Sequence, residues 1–308
     1  MTMQIGLNAS GRRFRYLVDD AVRAEAEGFH TYTMSSVAGH DPMAVLTAIA
    51  LETERIQLLT GVVPIFGTHP ARLAGQALTV QAAAEGRFTL GIGLSHQVVI
   101  EGGMGLDFTR PGARMRDYLD VLQPRLRGEQ LSHEGEFYTY RGGGAPSDLA
   151  EVPVMLAAMA PVMLRLAAER TVGTVLWMAG VRAVTDYVRP RLERAAANAG
   201  RSDPAVVASL PVALVPRSQV SDARAVASQL FERYGELPSY RSMLDHSGAE
   251  LPGDAALVGD EAALDGELAR LEAAGVALFS GAPFRADDEA IARTRAYLAD
   301  RARQRASS

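Results

Sequence analysis

Residues 55–96 read RIQLLTGVVPIFGTHPARLAGQALTVQAAAEGRFTLGIGLSH, and this stretch decides the fold. Two apolar runs rich in β-formers, residues 56–63 and 88–94, bracket one long pattern of helical spacing from Pro70 to Ala84. Strand, crossover helix and parallel strand make a right-handed βαβ unit, because a right-twisted strand feeding a right-handed helix packs back onto its sheet only that way. Ligands of such sheets gather at the strand C-termini. There the first run breaks at Gly61 and Pro64, and the second at Gly91, Gly93, Ser95 and His96. Glycine admits backbone geometries closed to other residues, and proline removes a donor. The expectation is a floor for a flat ligand.

Outward from this centre the alternation continues in both directions. Upstream, strands are predicted at residues 3–8 and 29–34, with helices over 14–27, stopped by Gly28, and 41–53, where Pro42 suits the first turn. Downstream the rhythm breaks. A glycine-rich loop holding Gly102, Gly103 and Gly105 leads into an arginine-rich amphipathic helix ending near Arg127. A hairpin over 131–141, turning at Glu134-Gly135, and a polar connection over 142–151 follow. Strands then resume at 152–157, 173–177, 206–215 and 276–280. Helices are read at 161–170, 181–198, 218–234, 261–274 and 287–303, with a short one at 238–246 and a loop at 247–254.

Eight strands, each followed by a helix, imply a parallel sheet and favour a closed (β/α)8 TIM barrel over an open sheet. The expected fold is therefore α/β, a single domain over 1–308 with an insertion after strand four at about 95–150. That insertion and a lid-like segment at about 234–255 are expected to roof the barrel mouth.

The chain has no cysteine, which excludes disulfides, thiolate metal sites and cysteine nucleophiles. A formal net charge of −5 without a basic block argues against nucleic acid. No apolar run reaches the ~20 residues of a membrane span, and the N-terminus lacks the pattern of a signal peptide. A cytoplasmic enzyme acting on a small molecule is expected. No pair of histidines has metal-site spacing, so no metal is expected. Dinucleotide, Walker and Gly-x-Ser-x-Gly signatures are missing too, which removes the Rossmann, P-loop and serine-hydrolase readings.

Among candidate residues, His96 directly follows strand four, at the active-site end of such a barrel. Imidazole suits proton transfer near neutral pH. A loop histidine more often just bonds a carbonyl, but the Gly-x-Gly-x-Ser-His context favours chemistry. Asp41 reads as a helix cap, with His40 beside it able to face the site. His69 and His133 read as structural, and His246 has no partner in the sequence pattern. In the run from Ala157 to Pro161, small residues let a ligand approach the backbone. The free N–H groups of the following helix suit a phosphate. Trp177 and Met178 lie at the neighbouring strand end.

On these residues the chain resembles the luciferase-like flavin- and deazaflavin-dependent oxidoreductases, on the branch that uses coenzyme F420. The resemblance covers nearly the whole chain. It is carried by residues 60–102, by HEGEFY at 133–138, VPVMLAAMAP at 152–161 and the strand end at 173–180. YGELPSYRSMLD at 234–245 and ALVGDEAAL at 256–264 are similar to one actinobacterial subgroup. The resemblance implies a non-prolyl cis peptide at Gly61–Val62, forming a bulge behind the ring system. It sets the ring against Gly93, Leu94 and Ser95, and the phosphate on the backbone of Ala158, Met159 and Ala160, with Trp177 and Met178 across from them. His40, Phe108, Tyr234 and Tyr240 are read as substrate-pocket walls, and a homodimer is implied.

The departures redirect the chemistry. Relatives that oxidise sugar phosphates carry Ser-Asp-His after strand two, whose histidine is the base; this chain has Ser35-Ser36-Val37. The acidic residue they carry after strand four falls at His96, and their Gly-Gly phosphate loop becomes Met159-Ala160. What is expected is hydride transfer between C5 of coenzyme F420 and a small organic molecule, as a reductase of C=C, C=N or C=O. His96 would protonate or polarise the substrate. An FMN-dependent monooxygenase is the alternative cofactor reading. A cofactor-free, inactive binding member is the alternative from another class, and the retained Gly61-Val62, Ser95-His96 and 158–161 count against it.

Overall fold

The first strand, β1 (Gln4–Asn8), buries Ile5, Gly6 and Leu7 in succession, the mark of a parallel strand covered on both faces. In this computed structural model, which describes residues 2–9, 13–36, 39–143, 150–284 and 287–306, the same logic repeats around a closed sheet. The first half of the chain comprises α1 (Phe14–Glu27), β2 (Thr31–Met34), α2 (Pro42–Glu52), β3 (Gln57–Thr60), the two-residue β4 (Val63–Pro64), α3 (Pro70–Ala83) and β5 (Phe88–Gly93). Next come α4 (Gln97–Met104), α5 (Pro111–Leu126), the hairpin β6 (Leu131–Glu134) and β7 (Thr139–Gly142), β8 (Val154–Leu156), α6 (Pro161–Arg170) and β9 (Gly173–Trp177). A π-helical turn (Ala183–Val188) leads into α7 (Arg189–Asn198) and β10 (Ala205–Leu214). The chain closes with α8 (Val220–Leu230), α9 (Glu232–Glu236), α10 (Pro238–Ser247), β11 (Leu257–Gly259), α11 (Glu261–Ala273), β12 (Leu278–Pro283) and α12 (Asp288–Ala306).

Among the described residues, eight parallel strands close the barrel in the order β1, β2, β3, β5, β8, β9, β10, β12 and back to β1. Inside it Leu59, Met155, Val175, Val207 and Leu278 pack together. The strand period of two therefore puts Gly61, Ala157, Trp177, Ser209 and Ser280 one layer nearer the C-terminal mouth. Outward-facing residues such as Leu58, Phe88, Leu156 and Phe279 join the helices in one large core. Local punctuation follows the sequence. Gly28 caps α1 in the left-handed region, Asp41 caps α2 through the Ala44 amide at 3.0 Å, and His69 caps α3 through the Ala71 amide at 3.2 Å. The two ends of the chain meet where Arg295 of α12 reaches buried Asp20 of α1 at 2.5 Å, and Tyr32 donates to the same carboxylate at 3.0 Å.

Three expectations are corrected. Residues 97–104 form a helix rather than a loop: Val98, Val99 and Ile100 start it, and Gly105 ends it in the left-handed region. The arginine-rich helix α5 is no excursion either. It packs against α3 and α6 in the outer ring, so the insertion after strand four reduces to α4 and the hairpin. The Asp117 carboxylate pins that hairpin to the flank of α5. It accepts from the Phe137 and Tyr138 amides at 2.6 and 3.0 Å and lies 2.5 Å from the His133 ring. A Cβ on Gly135 would stand 1.8 Å from the same carboxylate, which explains the glycine of HEGEFY.

The third correction concerns the lid. The excursion after strand seven is wider than 234–255, because the outer end of β10, Val212–Leu214, leaves the ring to pair with β11. The helix predicted at 218–234 breaks at Phe231 into α8 and α9. Val37 and residues 144–149 of the predicted polar connection lie outside the described residues.

Candidate active site at the barrel mouth

The floor is built by β3 and β5. Their pairing stops after Leu59–Thr89 and returns as β4 at Val63–Ile92. In the gap the Thr60 hydroxyl accepts the Gly91 N–H at 2.7 Å and donates to the Gly91 carbonyl at 2.9 Å, so one side chain replaces two ladder bonds. The peptide bond that follows, Gly61–Val62, is cis. The Gly61 amide donates to the Met34 carbonyl at 2.8 Å, and the Ser36 hydroxyl donates to the Val62 carbonyl at 3.2 Å, tying this bulge to the end of β2.

The glycines of β5 are demanded by the bulge itself. A Cβ on Gly91 would stand 1.9 Å from the Thr60 carbonyl oxygen. One on Gly93 would stand 2.8 Å from Val62 and 3.1 Å from Ala157. Val62, Gly93 and Ala157 thus form a close-packed surface of small groups. At its edges Ser95 and Met178 sit in the left-handed region, with φ of 59° and 58°. Such non-glycine outliers cost energy and concentrate at functional sites. Leu94 and Ser95 are half-buried.

Above the floor stands an aromatic wall assembled from separate parts of the chain. His96, at the N-cap of α4, has its ring centroid 5.3 Å from that of Tyr240 on α10. Tyr240 meets Tyr234 of α9 edge-on at 4.7 Å, Tyr234 meets Trp177 at 6.0 Å, and Trp177 meets Phe231 at 5.7 Å. Burial, and then the positive charge of Arg233, hold the His96 imidazole below its ordinary pKa, so it is neutral at pH 7. Burial, and then Tyr234, push the Tyr240 phenol far up, so it remains a proton-bearing donor. Trp177 and Ser209 face each other across the β9–β10 pairing. Both the Trp177 indole nitrogen and the Ser209 hydroxyl are buried without a hydrogen-bond partner. Unpaired buried donors are costly, and here they fit a flat ligand whose edge carries acceptors.

At the next strand end Ala160 caps α6 with extended backbone and no side-chain bond, leaving the first-turn amides for an anion. Ala158 is buried and Met159 half-buried. Thus His96, Trp177, Tyr234 and Tyr240 come together, and Gly61, Val62 and Gly93 lie beneath the same mouth. The ring contacts of the other two pocket candidates are with neighbouring βα connections. Phe108 stacks on Phe66, two residues past β4, at 5.2 Å. His40 meets Phe14, at the start of α1, edge-on at 6.1 Å. Thr60, Ser36, Ser209 and Arg233 were not singled out by the sequence; only the strand period of two, counted on from Val207, points to Ser209.

Among the described residues no three metal-ligating side chains cluster, and no helix is long and apolar enough to cross a membrane.

Comparison with known proteins agrees with this architecture. The family described as luciferase-like monooxygenase matches residues 2–278. The F420-dependent glucose-6-phosphate dehydrogenase of Nocardia farcinica (strain IFM 10152) is 31% identical over 219 residues, 65% of each protein. The match therefore spans just under two thirds of that relative's length. The coenzyme F420-dependent tetrahydromethanopterin reductase of Methanopyrus kandleri superposes with a TM-score of 0.78 over 97% of this chain and 98% of that one, at 19% identity. The oxygenating constituent of 3,6-diketocamphane monooxygenase from Pseudomonas putida, in complex with FMN, does so at 0.76 and 21% identity over 99% and 98%. At such identities the superpositions speak for the barrel alone. The chain belongs to the luciferase-like monooxygenase family.

Proposed function

We propose that this protein is a coenzyme F420-dependent oxidoreductase, working as a reductase on a small unsaturated molecule. The observation that carries the reading is the neutral His96, held against Tyr240 in an aromatic wall above the Val62–Gly93–Ala157 floor. The relatives named as F420-dependent support the choice of coenzyme. Bound here, the coenzyme would supply a hydride from C5 of its ring.

The protein's part is positioning and proton handling. Val62, Gly93 and Ala157 present one flat face, with Ser95 and Met178 fixing its edges. Trp177 and Ser209 offer donors to a polar edge, and the bare N-terminus of α6 at Ala160 suits a phosphate. His96, neutral and half-buried, donates a hydrogen bond that polarises the substrate and steadies its developing negative charge. Tyr240 and Tyr234 orient that imidazole and exclude water, which strengthens every polar contact inside. Action on a small molecule by a cytoplasmic homodimer belongs to this reading on the strength of the resemblance.

Trp177, the only tryptophan, reports on occupancy directly. Coenzyme F420 and FMN are titrated separately while its fluorescence is followed. Quenching by F420 alone is the expected result. Quenching by FMN alone would move the protein to the oxygen-using branch that the FMN-bound neighbour represents. No response to either would leave a binding protein without a cofactor.

A further inference from the structure

A hollow of about 410 Å³ opens beyond the C-terminal end of α4, the helix whose N-cap is His96. Its walls include Phe66, Leu106, Phe137 and Tyr138, and Arg114 enters it from α5. The guanidinium is held between two rings, 5.2 Å from the centroid of Phe66 and 4.3 Å from that of Phe137. Only 16% of the Arg114 side chain is exposed.

This cation is incompletely served. A guanidinium carries five donors. The Tyr138 phenol lies against it, but its ion pair is a single long contact, 3.3 Å from one terminal nitrogen to Asp107, and Asp107 is 56% exposed. The Asp107 carboxylate is also engaged by the Thr109 amide and hydroxyl at 3.1 and 2.5 Å, so it keeps partners if Arg114 lets go. The Arg114 Nε is buried and has no hydrogen-bond partner. A mostly desolvated arginine, clamped in a fixed plane with its one ion pair long and partly exposed, is arranged to take a second, planar acceptor at its terminal nitrogens.

We propose that this hollow is a second small-molecule site, for a carboxylate carried on a flat apolar body. The carboxylate would meet the terminal nitrogens of Arg114 and displace the exposed Asp107. Pairs of that exposed kind contribute little, on the order of 1 kcal/mol or less. The apolar body lies against Phe66, Phe137 and Leu106. The volume falls in the range of about 300–1,000 Å³ typical of ligand pockets. A doubly charged phosphate fits less well, because Asp107 stands beside the one arginine that would hold it. The hollow adjoins the floor at Ile65, whose amide donates to the Gly93 carbonyl at 3.0 Å, but Phe66 and Phe137 make no ring contact with Tyr240, Tyr234 or Trp177. The proposal stands whether or not the coenzyme reading does.

Benzoate is the probe, followed by isothermal calorimetry on the full chain, with benzamide as the uncharged control. The expected result is saturable binding of benzoate in the millimolar range and about tenfold weaker binding of benzamide, a factor worth about 1.4 kcal/mol. Arg114→Gln should weaken benzoate at least as much. Leu106→Trp, which fills the hollow and leaves Arg114 in place, should abolish binding and decides the matter if the arginine variant does not fold. His96→Ala should leave benzoate affinity unchanged. Absence of binding to the parent protein, undiminished binding to Leu106→Trp, or loss in His96→Ala alone would each overturn the assignment.

Discussion

The rings of His96 and Tyr240 lie 5.3 Å apart and tilted by 48°, joining the end of barrel strand four to the excursion after strand seven. Because this pair stands over the floor without forming part of it, its loss should separate chemistry from coenzyme binding. His96→Ala is expected to lower kcat by about 100-fold or more, the usual worth of a donor placed at a developing charge, with coenzyme affinity nearly unchanged. Steady-state kinetics set beside a coenzyme titration checks this. Loss of affinity with kcat intact would remove His96 from the chemistry.

The pH profile follows from the same residue. Burial first, and Arg233 second, lower the His96 pKa from 6.5. The neutral imidazole therefore persists through neutral pH, and kcat/KM should hold level there and fall only as pH drops through the depressed pKa. Arg233→Ala removes a nearby positive charge, so protonation becomes easier and the fall should begin at higher pH. Arg233 is exposed, so this displacement should shrink at high salt. A profile indifferent to both substitution and salt would mean that another group titrates.

Gly91→Ala tests the floor. The new Cβ would overlap the Thr60 carbonyl, and backbone cannot yield as a side-chain tip does. A loss of at least about 1–3 kcal/mol is expected, as for overpacked cores, read by urea unfolding. Gly75→Ala, with nothing within 4 Å of its Cβ, should be neutral or better in the same assay.

Asp117 should govern the hairpin at low pH. Burial raises its pKa, but hydrogen bonds from His133, Phe137 and Tyr138 outweigh this, leaving it below 3.8. A folded-state pKa depressed below the unfolded value stabilises fully above the unfolded one and is lost as pH falls through the folded one. The protection of the Phe137 and Tyr138 amides against hydrogen exchange, relative to the intrinsic rate at each pH, should therefore fall sharply in acid. Asp117→Asn should give fast exchange already at neutral pH. Slow exchange in that variant would show that the hairpin holds without the carboxylate.

Arg295 joins the two ends of the chain through Asp20, which is almost wholly buried, and through Glu27. Arg295→Ala leaves Asp20 with Arg23 at 2.6 Å and Tyr32 at 3.0 Å as its remaining side-chain partners, and about 1–3 kcal/mol of stability should disappear. Asp20→Asn added to Arg295→Ala should restore part of it, and denaturant unfolding of both variants measures the difference.

All eight barrel strands were legible because each is a run of consecutive apolar residues long enough to stand out from the helices around it. β4, of two residues, was not, nor was β11, which is as long as β8 but offers only Leu257 and Val258 as large apolar residues before Gly259. α4 was hidden by Gly102 and Gly103, which lower helix propensity by about 1 kcal/mol each yet sit on a helix begun by Val98 to Ile100. Amphipathicity announced α5 but could not say whether it belonged to the ring or the insertion. The residues that shape the floor from behind, Thr60 and Ser36, look in sequence like any hydroxyl at a strand end. Only the neighbours they bond give them their roles.

The outer end of β10 pairs with β11 and thereby holds the segment carrying Tyr234 and Tyr240, while the floor is made by β3, β4, β5 and the end of β8. Inheritance can treat these as two independent parts. Residues 215–259 can be rewritten, lengthened or exchanged with those of a relative, and the surface beneath is left untouched. One lineage can in this way diversify what it admits while keeping the same carrier of electrons.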